Sequence, residues 1–469
     1  MKRQKLWLFS LFVVLLALSL TPTLAQNEET VISIAVPELM KDTFKTIIDQ
    51  FESENPGIQV EIRTVPGFEP PLYPMEEIDD YLDAVETYVR SADVVFVNTE
   101  ALTPEATTAG YFLDLAPLVD TDTTINPADF YESLWRSFQW DRGMWALPVS
   151  GEASLLFYDP AAFDAAELPY PNENWTLTDL ANAIRALTQL DADGKVAIPG
   201  FMNYERGIEA LLVSLLETSL VDESTTPASP LFDNPQLEEL LTTWADLAAK
   251  GLLDVPENVM MTPDNRPPLF LGSSFMGQVN SPDEKPMAAA LLPGGRAGVS
   301  ASGFGISSGT IYPDAAYALV KFLTGRPEAS GAFFGVPAQK NLPEPMATEG
   351  LRFAMPAGAT SPEMQALLDT ALTNGISVSE TRYAPYLETA FQLMRESGLE
   401  AREALQQVEA QILERQTAAV TRRDTVQVSV TPPITAPELA PGEIALKFGA
   451  TASISPFPNQ EAWEQAMAD

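Results

Sequence analysis

The spacing of apolar residues predicts alternating strands and helices in the N-terminal part of the chain. Residues 31–36 are mostly β-branched and apolar, residues 58–63 alternate between apolar and polar side chains, and residues 92–97 are apolar except for Asp93, as three strands would require. Between the first two strands, one predicted helical face carries Phe44, Ile47, Ile48 and Phe51. Because strands separated by helices form parallel βαβ units, this pattern indicates an α/β fold.

A strand and a capped helix are predicted further along the chain. The apolar run of residues 154–158 ends at an Asp-Pro pair, residues 159–160, which favours a turn. Thr176 and Asp179 have the spacing of a capping box at the start of a helix. The apolar face of that helix carries Leu180, Ile184 and Leu187.

The C-terminal part of the chain has a different pattern. A proline-rich polar stretch at residues 431–443 predicts a semi-rigid linker. Residues 444–450 are strand-like, and residues 459–469 have the pattern of a helix. This order repeats that of residues 31–51, so we interpret residues 444–469 as the start of a second, similar module. The alternative is a terminal strand and helix that dock onto the first module.

The N-terminus has the three parts of a secretory signal peptide. A basic start at residues 2–5 precedes an apolar core at residues 6–20 and a small-residue exit that ends at Ala25. We expect cleavage after Ala25, so that residues 1–25 are removed and the protein is secreted, either to the periplasm or to the cell surface. The apolar core is shorter than the ~20 residues that a membrane-spanning helix needs, which disfavours an uncleaved anchor.

Composition excludes several classes of function. The chain of 469 residues has a formal net charge of −38, from 65 acidic and 27 basic side chains, and would repel a nucleic-acid backbone or an anionic bilayer. It contains no histidine, which removes Ser-His-Asp catalysis and the commonest zinc ligands. It also contains no cysteine, which removes disulfides, thiolate nucleophiles and a lipoprotein anchor. We therefore expect no cofactor, no metal and no nucleic-acid partner.

Five segments, at residues 51–61, 93–98, 110–118, 145–160 and 313–324, share their pattern and their order with one protein family. They resemble the extracellular solute-binding proteins of family 1, the substrate-binding proteins of sugar ABC transporters, of the maltodextrin-binding type. The resemblance implies a periplasmic-binding-protein-like type II architecture, in which two α/β lobes joined by a hinge close on a solute.

The same resemblance implies the domain boundaries. The solute-binding module would comprise residues 26–430. Lobe 1 would contain about residues 26–149 and 290–324, and lobe 2 about residues 150–289 and 325–430.

Ligand-binding residues are implied at strand ends and loops that face the cleft between the lobes. Carbohydrate sites combine aromatic rings, which cover the apolar face of a sugar, with amide, hydroxyl and carboxylate groups that bind its hydroxyls. Residues of these types at the expected cleft are Asn98, Thr99, Ser150, Glu152, Asn203, Tyr204, Asn280, Ser281, Phe304, Tyr383 and Tyr386. For the aromatic residues the alternative is core packing. Trp140 and Trp145 are interpreted either as a clamp on a hairpin or as a platform for a ligand.

The predicted function is that of a monomeric, non-enzymatic protein that captures a small carbohydrate and delivers it to the permease subunits of an ABC importer. The matched positions contain few tryptophans, which argues against a long glucan. A polyamine or another organic solute is an alternative ligand, because carboxylates and aromatic rings suit a polyamine. Two other classes stay open: a sensory ectodomain, and a glycoside hydrolase, for which two carboxylates suffice.

Overall fold

The structure is a computed structural model that describes residues 30–65, 77–203, 208–216, 218–253, 265–274, 287–331, 335–342 and 361–432. The predicted signal peptide, the predicted linker beyond Pro432 and the predicted second module lie outside the described residues.

The strands occur in every part of the described chain, and most of them are short. They are β1 (Thr30–Pro37), β2 (Ile58–Val65), β3 (Val94–Asn98), β4 (Gln139–Trp140), β5 (Gly143–Met144), β6 (Leu147–Tyr158), β7 (Gln189–Leu190), β8 (Val196–Ile198), β9 (Met202–Asn203), β10 (Val221–Asp222), β11 (Ser229–Pro230), β12 (Leu269–Ser273), β13 (Ala288–Ala290), β14 (Gly298–Ile306) and β15 (Val336–Pro337).

Helices alternate with these strands. They are α1 (Lys41–Glu54), α2 (Ile78–Val89), α3 (Pro104–Thr108), α4 (Ala116–Thr121), α5 (Glu132–Arg136), α6 (Pro160–Ala165), α7 (Leu177–Leu187), α8 (Ile208–Leu215), α9 (Pro235–Ala249), α10 (Pro313–Thr324), α11 (Pro327–Gly331), α12 (Pro362–Asn374), α13 (Val378–Thr381), α14 (Pro385–Ser397) and α15 (Ala401–Thr425). Short 3-10 helices occur at Glu38–Met40 and Pro127–Asp129.

Local sequence signals account for several of these elements. The predicted apolar face of α1 is confirmed, because all four of its residues are buried: Phe44, Ile47, Ile48 and Phe51. The predicted capping box of α7 is confirmed, because Thr176 Oγ1 accepts a hydrogen bond from Asp179 N and Asp179 Oδ2 accepts one from Thr176 N. This pair satisfies amide groups that the first turn of a helix leaves without an internal partner.

The largest sheet among the described residues contains strands from residues 30–337. Its order is β2-β1-β3-β14-β6-β12-β9, with β13 and β15 also paired to β6. The strands β2, β1 and β3 are parallel, as the predicted βαβ units require, whereas β14 is antiparallel to both β3 and β6. The long strands β6 and β14 therefore connect the parallel part of the sheet to the part that contains β12 and β9.

The buried apolar residues form two separate cores. Core 1 contains the apolar faces of α1, α2 and α10 together with β1 and β3, whereas core 2 contains those of α7, α9 and α14. Strand β6 serves both, since Leu155 belongs to core 1 and Leu156 to core 2. The predicted fold class is confirmed: the chain forms two α/β lobes, one around each core.

The chain passes from core 1 to core 2 later than the resemblance implied. Ala329, Ala338 and Leu368 pack in core 1, although residues 325–430 were expected in lobe 2. Strand β15 holds this segment on lobe 1, because Val336 pairs with Gly151 of β6. Core 2 residues resume at Ile376, whose amide donates to Ala297 O at 2.7 Å.

Helix α15 is a further connection between the lobes. Its first half contributes Val408 and Ile412 to core 2, and Ala419 near its C-terminal end belongs to core 1. Beyond Ala419, Arg422 pairs with Glu86 of α2, with an Nη1 to Oε2 distance of 3.5 Å. A single helix of 25 residues therefore contacts both lobes.

Candidate functional site

A cavity of about 150 Å³ lies between the lobes, and both lobes line it. Strands β6 and β14 line one side, the β3–α3 segment and Trp140 come from lobe 1, and α8 with the α13–α14 segment comes from lobe 2. Its polar and aromatic lining residues are Thr99, Glu100, Thr103, Trp140, Glu152, Ser154, Glu209, Ser300, Thr381 and Arg382. A site at a lobe interface with a few convergent polar groups is typical of small-molecule binding.

Glu152 lies on β6, one of the strands that join the lobes, and places a carboxylate at the cavity. Ser273 Oγ donates a hydrogen bond to Glu152 Oε2, and Ser300 Oγ donates to Oε1 at 3.3 Å. Burial raises the pKa of Glu152 above its ordinary value, although the two serine hydrogen bonds oppose that shift. The carboxylate is therefore held in place by protein donors while it faces the cavity.

The lobe 1 wall is fixed by backbone and side-chain hydrogen bonds. Thr99 Oγ1 accepts from Ala301 N at 3.0 Å, which ties the end of β3 to β14. Trp140 is 4% exposed, and its Nε1 donates to Thr107 Oγ1 at 2.9 Å. The ring therefore has a fixed orientation at the cavity wall.

A strained hairpin turn presents Trp140. Asp141 and Arg142 connect β4 to β5 with φ values of 52° and 66°, the left-handed conformation that a two-residue hairpin turn of this type needs. Asp141 Oδ1 accepts from Ala228 N at 2.9 Å, so the hairpin also contacts lobe 2. Trp145 Nε1 donates to Trp140 O at 3.2 Å. Trp145 thus clamps the hairpin, whereas Trp140 lines the cavity.

The lobe 2 wall contains a buried arginine. Arg382 follows α13, and its side chain is only 1% exposed. Its Nη2 lies 3.5 Å from Glu223 Oε1, but its Nε and Nη1 have no hydrogen-bond partner among the described residues. The cavity lining therefore combines one guanidinium with the carboxylates of Glu100, Glu152 and Glu209.

A second cavity lies on another side of the same hairpin. Its volume is about 560 Å³, and it extends from Trp135 and Trp140 of lobe 1 to residues 223–226 of lobe 2. Several of its charged lining residues, such as Asp120 and Arg142, are exposed to solvent. We assign the candidate site to the smaller cavity, because there the two connecting strands and both lobes converge.

Two predicted site residues, Thr99 and Glu152, meet at the cavity. Asn98 is next to Thr99 in sequence, and Ser150 is two residues before Glu152, but neither of them lines the cavity. Asn98 Oδ1 accepts from Ala101 N at 2.8 Å and stabilises the turn after β3, and Ser150 is fully buried within β6. Asn203 pairs through its backbone with β12 at Leu271. The predicted residues outside the described part of the chain are Tyr204, Asn280 and Ser281.

The structure places the three remaining aromatic candidates in the cores instead of at the cavity. Phe304 is fully buried and packs edge-on against Phe44, with ring centroids 5.5 Å apart. Tyr383 and Tyr386 are fully buried in core 2. The Tyr383 hydroxyl donates to Ala228 O, and the Tyr386 hydroxyl donates to Glu105 Oε1 at 2.9 Å. Their expected ligand contacts are corrected to packing roles, because buried tyrosines require a partner for the hydroxyl and both have one.

Tyr386→Phe is therefore expected to lower the free energy of unfolding by about 1.5–3 kcal/mol, because it removes a buried hydrogen bond to a charged group. Urea denaturation of the ligand-free protein measures this loss. The exposed Tyr312 supplies the matched control, since Tyr312→Phe should leave the midpoint unchanged. If Tyr386→Phe instead reduced ligand affinity without loss of stability, the Tyr386 hydroxyl would belong to the binding site after all.

Sequence reasoning missed Arg382, Glu209 and Thr381. Arg382 is next to Tyr383, the residue that the resemblance selected. The sequence does not show that Arg382, and not Tyr383, lines the cavity. Glu209 lies on the apolar helix α8, where an acidic residue is a weak signal that could have been noticed.

Buried polar contacts also join the lobes beside the cavity. Arg415 of α15 pairs with Glu105 of α3, with Nε and Oε1 3.6 Å apart. Gln416 Nε2 donates to Ala228 O at 2.8 Å and lies 2.6 Å from the Tyr383 hydroxyl. These contacts connect α3, the loop before β11 and α15, which belong to different parts of the chain.

Neither a metal-binding cluster nor a membrane-spanning helix occurs among the described residues. No group of three or more acidic side chains among them is arranged to hold a metal ion. Within the same residues, no helix has both the length and the apolar character that a membrane span requires.

The chain belongs to the bacterial extracellular solute-binding protein family, whose sequence model matches residues 38–329. This confirms the family that the sequence resemblance indicated. In a comparison with curated protein sequences, no match was found.

Solved structures of low sequence identity share the fold. An ABC substrate-binding protein from Listeria monocytogenes in complex with cycloalternan is 17% identical with a TM-score of 0.57, and the match covers 83% of this chain and 99% of that one. The sugar-binding protein MalE from Xanthomonas citri is 15% identical with a TM-score of 0.58, covering 85% and 100%. A solute-binding protein from Thermotoga lettingae bound with α-D-tagatose is 16% identical with a TM-score of 0.54, covering 82% and 100%.

Proposed function

We propose that this protein is the secreted substrate-binding component of an ABC importer, and that it captures a small carbohydrate between its lobes and delivers it to the permease. The observation that carries the proposal is the interlobe cavity, which combines the Trp140 ring with hydroxyl and carboxylate groups from both lobes and from the strands that connect them. The family assignment and the ligands bound to two of the structural relatives, cycloalternan and tagatose, support a carbohydrate.

Binding and release would require motion of the lobes. The volume of about 150 Å³ lies below the range of ~300–1,000 Å³ that is usual for ligand pockets. A sugar would therefore enter when the lobes separate, and contacts from both lobes would favour the closed form once it is bound. The protein performs no chemistry in this proposal.

A polyamine is the second candidate ligand. Glu100, Glu152 and Glu209 all line the cavity, and three carboxylates beside a tryptophan ring suit an extended cation. The buried guanidinium of Arg382 opposes this reading, because it would repel an ammonium group in the same cavity.

The test is a thermal-shift screen of the full chain against mono- and oligosaccharides, polyols and polyamines. A ligand that binds only the folded protein raises the melting temperature, by mass action. We expect a carbohydrate to raise it, and chromatography should recover that carbohydrate unchanged. A response to polyamines alone would replace the first candidate with the second, and cleavage of an oligosaccharide would contradict the non-enzymatic assignment.

A further inference from the structure

Arg382 is a buried residue of the cavity lining whose guanidinium lacks some of the hydrogen bonds that it could donate. Its side chain is 1% exposed, and both Nε and Nη1 are buried without a hydrogen-bond partner among the described residues. The residue lines the interlobe cavity. Buried polar groups in folded proteins are nearly always hydrogen-bonded, so two such donors at a binding site indicate that the ligand supplies acceptors.

The protein gives this guanidinium a weak counter-ion. The ion pair of Arg382 is made with Glu223, whose side chain is 74% exposed, at 3.5 Å. Water screens a carboxylate in that position, whereas the buried guanidinium has lost most of its own hydration. A ligand carboxylate placed directly against Nε and Nη1 would satisfy both donors, and hydrogen bonds between charged groups are roughly twice as strong as those between neutral ones.

The number of basic residues restricts the anion. Arg382 is the one basic residue that the described residues contribute to the cavity lining. A dianionic phosphate is usually held by several converging cations or by a helix N-terminus, whereas a monoanionic carboxylate needs a single arginine. The carboxylates of Glu100, Glu152 and Glu209 also line the cavity, and a carboxylate oxygen can accept hydrogen bonds from ligand hydroxyls.

We propose that the ligand is an acidic carbohydrate, a uronic acid or a short uronate oligosaccharide, whose carboxylate binds Arg382 while its hydroxyls donate to the acidic residues of the cavity. This inference rests on the proposed carbohydrate-binding function and names its substrate class. A neutral sugar would offer the Nε and Nη1 donors of Arg382 only uncharged acceptors, whereas the carboxylate of a uronate offers two charged ones. The formal net charge of −38 slows the approach of an anion, but at physiological salt this repulsion is screened beyond about 8 Å.

The first experiment compares matched sugar pairs on the wild-type chain by isothermal titration calorimetry. Galacturonate is compared with galactose, glucuronate with glucose, and digalacturonate with a neutral disaccharide. We expect the acidic member of at least one pair to bind about 10-fold more tightly than its neutral partner, and its affinity to fall as salt is raised. Equal or tighter binding of the neutral members would overturn the inference and leave the carbohydrate-binding function intact.

The second experiment assigns that preference to Arg382. Arg382→Gln should weaken uronate binding about 10-fold and change binding of the neutral sugar by less than about 2-fold, whereas Arg382→Lys should keep part of the preference. Arg402→Gln, a change at an exposed arginine of lobe 2, is the matched control. A uronate preference that survived Arg382→Gln would contradict the assignment. If no sugar of either kind binds and polyamines do, both the inference and the proposed function fail.

Discussion

Arg415→Leu is expected to lower the free energy of unfolding by about 3–5 kcal/mol, because it leaves a buried carboxylate without its cation. Arg415 and Glu105 have side-chain exposures of 4% and 1%, and their Nε and Oε1 atoms lie 3.6 Å apart. Glu105 also accepts a hydrogen bond from Tyr386, so the carboxylate cannot turn to solvent without breaking that contact. Urea denaturation followed by circular dichroism measures the loss.

The double variant Glu105→Gln with Arg415→Leu separates the ion pair from the packing of the arginine chain. Removing both charges eliminates the uncompensated carboxylate, so the double variant should be clearly more stable than Arg415→Leu alone. Equal stability of the single and double variants would show that the loss comes from packing. Because the pair joins α15 to α3, radius-of-gyration measurements by X-ray scattering would show whether the lobes also move apart.

Glu152→Gln is expected to have two effects of opposite sign. Ligand affinity should fall about 10- to 100-fold, because a charged acceptor for a ligand hydroxyl becomes neutral, at 1.5–3 kcal/mol for such a hydrogen bond. The ligand-free protein should become more stable at pH 7, because burial raises the pKa of Glu152 and its charged form therefore destabilises the fold. Calorimetric titration and thermal unfolding measure the two effects.

The pH dependence distinguishes this explanation from a change in packing. A raised pKa means that the penalty on the fold is absent at low pH and appears as the pH rises through the pKa of Glu152 in the folded protein. The stabilisation by Glu152→Gln should therefore shrink as the pH falls toward the ordinary value of 4.5. A gain in stability that did not change with pH would contradict the assignment of burial as the cause.

Glu380 is the matched control with the opposite sign. Burial disfavours its charge, but hydrogen bonds from Arg296 and Ser377 hold the pKa of Glu380 below its ordinary value. Its ionised form thus stabilises the fold, and this contribution is lost as the pH falls through the lowered pKa. Glu380→Gln should therefore lower the melting temperature at pH 7, where Glu152→Gln raises it.

The sequence predicted the local elements well, because local periodicity reports which face of an element is apolar. The buried face of α1 and the capping box of α7 depend on spacings of three and four residues, and both occur where the pattern placed them. For the candidate site, the family resemblance implied Thr99 and Glu152, and both line the cavity. Thr99 comes directly after β3, and Glu152 lies within β6.

Aromatic residues were harder to assign from sequence. Phe304 was expected at a strand start but lies within β14, Tyr386 lies in the first turn of α14, and both are fully buried. An aromatic ring suits both a protein core and the apolar face of a sugar, so its residue type does not separate the two. The hydroxyl partner of Tyr386, Glu105, is remote in sequence and becomes visible only in the folded chain.

The sequence by itself determined the strand–helix order, the apolar faces, the family and the absence of histidine and cysteine chemistry. The tertiary structure alone decided that Trp140, Glu209 and Arg382 meet Glu152 at one cavity, and that α15 connects both cores. The reason is physical: periodicity is set by contacts within one element. Which polar groups share a cavity is set instead by the packing of elements that lie far apart along the chain.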